Sequence, residues 1–253
     1  MQITADEGAH LAQVQDVLRL DAAFSAEVLR LANSPLLGAR REITNILHAV
    51  AILGLERIKA LTTTLAVRIF LSGKPSDAMQ TCWRRNLAVA IVSAQIARYV
   101  DMDADTCYTA GLLHDIGRLA LLWACPDEYA GILAQPMIES RHLLEMEKEL
   151  FGMDHCEAGE WILTQWEFPL QLREVALLHN RNPEPGASSL LLVVYTALQI
   201  ADAIGFPISH QSTDRTQMSE LLPNRLRQSV LDNFDQIAED TIFRLNAVEC
   251  SLL

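Results

Sequence analysis

Apolar residues recur at three- and four-residue intervals along almost the whole chain, and strict apolar–polar alternation is scarce. That spacing lines one face of a 3.6-residue helix and does not suit a half-buried strand. It predicts helices over 10–20 and 22–32, broken at Asp21, with Asn33-Ser34-Pro35 ending the second. Thr44 caps a helix that stops at Gly54, and 55–71 form another. Ser72-Gly73-Lys74-Pro75-Ser76 then interrupts the pattern. Ser76 caps a long helix that runs through Asn86 to about Val100, and 101–105 open the helix that leads to His114-Asp115, with Gly117 marking a turn. Further helices are expected at 126–134, 140–150, 154–166, 169–179 and 188–204, with Asp154 as an N-cap and Pro169 in a first turn. Residues 207–220 are polar and read as irregular, and 223–248 as a long final helix.

The pattern gives an all-α fold in three parts. An N-terminal helical subdomain covers 1–73, a helical bundle 74–206, and a polar segment with a C-terminal helix 207–253. No flexible linker separates the first two, so they are expected to pack as one globule. The last helix carries an apolar stripe of Leu226, Val230, Leu231, Phe234, Ile237, Ile242 and Leu245. Such a stripe packs on its own domain, pairs with a second copy as a homodimer, or meets a partner; packing in cis is the default.

Composition narrows the partners. Half of the 253 residues are hydrophobic, enough for a sizeable core, and the formal net charge is −12. A chain this acidic lacks the basic surface that nucleic acid or anionic membranes require. Arg40-Arg41 and Arg84-Arg85 are isolated pairs, too short to track phosphates. The five cysteines form an odd set without C-x-x-C spacing, which reads as free thiols in a reducing cytoplasm. No cationic start followed by an apolar run suggests a signal peptide, and the apolar stretch 190–200 is too short to cross a bilayer.

The candidate chemistry centres on Gly111-Leu112-Leu113-His114-Asp115-Ile116-Gly117. A neutral imidazole and a neighbouring carboxylate hold one or two divalent cations. The plainer alternative is a helix end with a satisfied core histidine. His155, His179 and Asp202 each lie on a separate downstream helix among apolar neighbours, and Asp202 is the one acid between Leu190 and Phe206. A buried carboxylate needs a partner or stays protonated. Cys156 beside His155 has no evident base or oxyanion donor and reads as a small core residue.

The order and spacing of His114-Asp115, His155, His179 and Asp202 resemble the HD superfamily of metal-dependent phosphohydrolases. The segment 20–35, with Leu31-Ala32-Asn33-Ser34-Pro35 as its most specific part, and the segment 43–54 resemble the HDOD domain family. The resemblance covers roughly residues 8–206. It implies a multi-helix bundle of the HD-domain type with an extra N-terminal helical subdomain, related to HD-GYP cyclic-dinucleotide phosphodiesterases and found in bacterial signalling proteins. It also implies a divalent metal (iron, manganese, magnesium or nickel) on His114, Asp115, His155, His179 and Asp202. By the same resemblance the first histidine of the HD pattern falls on Asn86, whose neutral amide oxygen is a poor substitute for imidazole. Arg118 stands where the catalytic HD-GYP pattern has lysine, His179-Asn180 where it has paired histidines, and no Gly-Tyr-Pro follows residue 180. The expectation is therefore a regulatory signalling module with no catalytic residue assigned, acting through a protein partner or a small nucleotide ligand. The alternative is a metal-dependent phosphohydrolase acting on a nucleotide or cyclic dinucleotide.

Overall fold

The computed structural model describes Ser25, Leu29, Asn33 and residues 43–53, 76–135, 140–165, 168–208 and 215–252. Every regular element among them is a helix. The helices are α1 (Ile46–Leu53), α2 (Asp77–Ile96), α3 (Ala104–Leu113), α4 (Ile116–Ala124), α5 (Pro126–Leu133), α6 (Ser140–Phe151), α7 (His155–Gln165), α8 (Leu170–Leu178), α9 (Ser189–Ala203), α10 (Arg215–Leu221) and α11 (Asn224–Leu252). The helices expected over 10–20 and 55–71 lie outside the described residues. Of 22–32, Ser25 and Leu29 are described, and both are helical and buried.

Helix α2 is the axis of the bundle. The Ser76 hydroxyl caps it by accepting from the Met79 amide at 3.2 Å, and Leu87 through Ser93 are buried on every face. A helix that is apolar all round has to be surrounded. Helices α3, α9, α11 and α4 all pack against it. A 3₁₀ turn, Ala97–Val100, and a left-handed Asp101 reverse the chain into α3, whose start is capped by Asp103. Gly111 then lies so close to α2 that a Cβ there would meet the Ala90 Cα and Ser93 Oγ at 2.8 Å. Ala90 and Gly111 are each about two turns from the hairpin, so the pair runs antiparallel. One turn farther along the touching faces come Asn86 on α2 and His114 on α3.

Two expected details differ. Gly117 does not mark a turn: the chain bends at His114-Asp115 and restarts at once as α4, with Gly117 inside that helix. The glycine serves a close helix contact instead. A Cβ on Gly117 would sit 2.0 Å from the His155 carbonyl oxygen and 2.4 Å from the Gly159 amide nitrogen. The segment read as irregular contains α10, whose Met218 is fully buried and anchors it to the core. The C-terminal stripe packs within the chain: Leu226, Val230, Phe234, Ile237 and Leu245 are buried in the main core, and α11 lies along α2. No described helix is long and apolar enough to cross a membrane.

The two glycines of the α4–α7 contact are not equivalent. A Cβ on Gly159 would meet the Gly117 amide at 3.4 Å and the Ala176 Cβ at 3.5 Å, which is ordinary packing. Gly117→Ala is expected to destabilise the fold by about 3 kcal/mol or more. Gly159→Ala should be neutral or stabilising by up to about 1 kcal/mol, since alanine favours a helix interior. Urea unfolding of the two variants checks this; equal losses would contradict the contact geometry.

Candidate functional site

Four of the expected residues converge where α3, α4, α7 and α8 meet. His114 ends α3, Asp115 precedes α4, His155 opens α7 and His179 follows α8; all four side chains are buried. His155 is held at its helix start by a capping box: Asp154 accepts from the Glu157 amide at 2.8 Å and Glu157 accepts from the Asp154 amide at 3.1 Å. The imidazoles of His114 and His179 meet edge to face with centroids 5.0 Å apart, and that of His155 lies 5.4 Å from His179.

His114 and His179 are prepared alike. Each directs Nδ1 at the carbonyl oxygen three residues earlier, Gly111 at 2.6 Å and Ala176 at 2.9 Å. A carbonyl only accepts, so Nδ1 carries the proton and Nε2 keeps its lone pair, the usual arrangement of a metal-ligating histidine. Nε2 of His114 and Oδ1 of Asp115 are buried without a hydrogen-bond partner. Ligand atoms of His114, Asp115 and His179 lie within 4.8 Å of one another, as do those of His155, Cys156 and His179. These donors suit a single divalent ion of the first transition row: neutral imidazole with a carboxylate.

Two arginines take up the acids. The Arg118 guanidinium lies between Asp115 and His155, donating from Nε to Asp115 Oδ2 at 2.5 Å and from Nη2 to His155 Nε2 at 2.8 Å. Its Nη1 donates to the Tyr129 hydroxyl at 3.0 Å and lies 3.5 Å from Glu147 Oε1. Tyr129 donates in turn to Glu147 Oε1. Glu147 Oε2 accepts from both the backbone amide of His155, at 2.9 Å, and its Nδ1, at 2.6 Å. Asp202 stands apart from this cluster. Its carboxylate pairs with Arg85, which also donates to the Phe206 carbonyl at 2.7 Å. Asn86, expected at the place of the missing histidine, is fully buried, and neither amide atom has a hydrogen-bond partner.

Glu147 and Tyr129 escaped the sequence reading. A signal for Glu147 exists: it falls four residues from both Leu143 and Phe151, on the apolar face of α6. Tyr129, a buried aromatic among apolar neighbours, carries no such mark.

Comparison with known proteins fits this arrangement. The profile of the HDOD domain matches residues 1–182. The chain belongs to the HDOD family. Its fold is shared by solved structures with weak sequence likeness. The MmoQ response regulator from Methylococcus capsulatus str. Bath is 24% identical, with 92% of this chain and 90% of that one covered, at a TM-score of 0.71. An HDOD domain protein of unknown function from Geobacter sulfurreducens is 24% identical over 91% and 85% of the two chains, with a TM-score of 0.54. A virulence factor from Campylobacter jejuni is 20% identical over 87% and 86%, with a TM-score of 0.57. No curated protein matches this HDOD chain.

Burial decides the charge state of two histidines in the HDOD pocket. It pushes the His114 imidazole down from 6.5 to about 4 and that of His179 well below its ordinary value, against the pull of Asp115 in each case. Asp115 is held well below the usual carboxylate range: its own burial opposes this, and Arg118 overrides it. The Cys82 thiol, pushed up to about 12 by burial, is no thiolate at neutral pH. His114 thus binds a proton in the unfolded chain near pH 6.5 but in the fold only near pH 4. As pH falls through that window the unfolded state gains the proton first, so stability is full above pH 6.5 and declines towards pH 4. Denaturation midpoints between pH 7 and 4.5 should drop, and less steeply in His114→Asn; a flat profile would contradict the buried neutral imidazole.

Proposed function

We propose that this HDOD chain is a regulatory signalling module that works by binding a protein partner or a small nucleotide ligand and does not catalyse hydrolysis. One observation carries the reading: both carboxylates of the expected ligand set are engaged by arginine, Asp202 by Arg85 and Asp115 Oδ2 by Arg118. Two-metal hydrolysis needs acidic ligands free to bridge two ions and a water between them. Here the bridging carboxylate has one oxygen left. The residues suited to an ion are His114, Asp115 and His179, and by the family resemblance Asn86 stands where a further imidazole would be. An ion there would neutralise Asp115 and fix the two rings, a structural role.

A second reading has one observation in its favour. The unpartnered Nε2 of His114 and Oδ1 of Asp115 are donors a single catalytic ion would also use. Such an ion acidifies a bound water and offsets phosphate charge. His155, whose two ring nitrogens are bonded to Glu147 and Arg118, has none spare to take the proton.

The two readings separate in one experiment. Chelator-treated chain, reloaded with manganese or iron(II), is offered a panel of nucleotides and cyclic dinucleotides. No turnover is expected, and Asp115→Ala should lower stability by about 3 kcal/mol by leaving buried Arg118 with Glu147, 3.5 Å away, as its remaining acidic partner. Metal-dependent hydrolysis that Asp115→Ala abolishes would overturn the regulatory reading. Asn86→His, which restores an imidazole at the pocket, should raise the affinity for manganese without creating turnover.

A further inference from the structure

We infer that Arg118 is a built-in cation that closes a metal site the chain otherwise still possesses. The inference deepens the regulatory reading above by naming what keeps the pocket from a second ion. Four features of the Arg118 surroundings are those of a metal centre. Its guanidinium is buried and contacts Asp115 through Oδ2 and His155 through Nε2, the carboxylate and the imidazole that an ion would take. His155 Nε2 and Asp115 Oδ1 are 3.8 Å apart, less than two metal–ligand bonds of about 2.1 Å laid end to end, so one ion reaches both. Glu147 accepts from the other nitrogen of His155, at 2.6 Å, which is the carboxylate–histidine pairing that orients imidazoles towards metals. Finally, two buried carboxylates converge on the position. Asp115 and Glu147 both face the Arg118 guanidinium, at 2.5 and 3.5 Å.

Guanidinium and metal compete for the same donors, and the guanidinium is attached. Nε and Nη2 span the carboxylate and the imidazole, while Nη1 reaches Tyr129, so the planar fork fills the position in three directions. Removing it leaves oriented ligands, two negative charges and a space in the interior. A divalent cation is the ligand that chemistry recruits.

The test is a Co²⁺ titration of chelator-treated chain, read by visible absorption and by binding stoichiometry, for wild type, Arg118→Ala and Arg118→Lys. Arg118→Ala is expected to bind one Co²⁺ per chain more than wild type, and His155→Ala in that background to remove the gained ion. Arg118→Lys, which keeps the charge, should gain none. If Arg118→Ala does not fold alone, Co²⁺ should restore its cooperative unfolding transition. Equal stoichiometry in a folded Arg118→Ala, failure of Co²⁺ to rescue an unfolded one, or an ion gained equally by the lysine variant would each overturn the inference. The regulatory reading falls by a different result, nucleotide hydrolysis by the wild-type chain, so the two failures are distinguishable.

Discussion

The approach of α4 to α7 is the constraint on which the rest of the site depends. The backbone around Gly117 lies against the His155 carbonyl and Gly159 with no room for a side chain. This contact brings the first residue of α7 beside the residue that precedes α4, and so sets His155 against Asp115. It also fixes the direction of Arg118, one residue past the contact, towards both. A looser helix pair would separate donors that must lie within hydrogen-bond reach, and the buried charges would lose their partners. The glycine therefore acts on the chemistry of the pocket without touching it.

Around that contact the interior holds an unusual load of charge. Arg118, Asp115 and Glu147 are all buried, yet most of their polar atoms are bonded, to one another or to the His155 ring. Buried ions are tolerated only under such pairing, because each unpaired one loses several kcal/mol of hydration. Within the pocket, His114 Nε2 and Asp115 Oδ1 are the ligand atoms left without a hydrogen-bond partner. The pocket thus has a charged half closed by an arginine and a neutral half with open donors, meeting at Asp115.

Much of this was legible in the chain, for physical reasons that can be named. Helix periodicity and the caps at Ser76 and Asp154 are local, and the structure has each of them, whereas the cap expected at Thr44 falls on Asn45, which accepts from the His48 amide. His114, Asp115, His155 and His179 were readable because polar groups among apolar neighbours need an explanation. Asp202 met the same criterion, but its partner lies on α2, and nothing in the spacing tells whether a buried acid faces a metal or an arginine. Gly117 was misread as a turn because a glycine looks the same in sequence whether it frees a dihedral angle or makes room for another helix. The short α4 was missed for a related reason: it begins directly after a bend, and Asp115 at its N-cap position makes no side-chain capping bond.

The pairing of Arg85 with Asp202 and with the Phe206 carbonyl joins residues 117 and 121 positions apart in the chain. Loop closure across such separations comes late, after contacts between sequence neighbours have shortened the effective chain. The α2–α3 hairpin can form early, from residues close in sequence. The pocket cannot: it needs α3, α4, α7 and α8 docked together, with Tyr129 and Glu147 brought in from α5 and α6, before its ions find their partners. Its assembly therefore reports the docking of α3 to α8, and the Arg85–Asp202 pair that of α2 with α9.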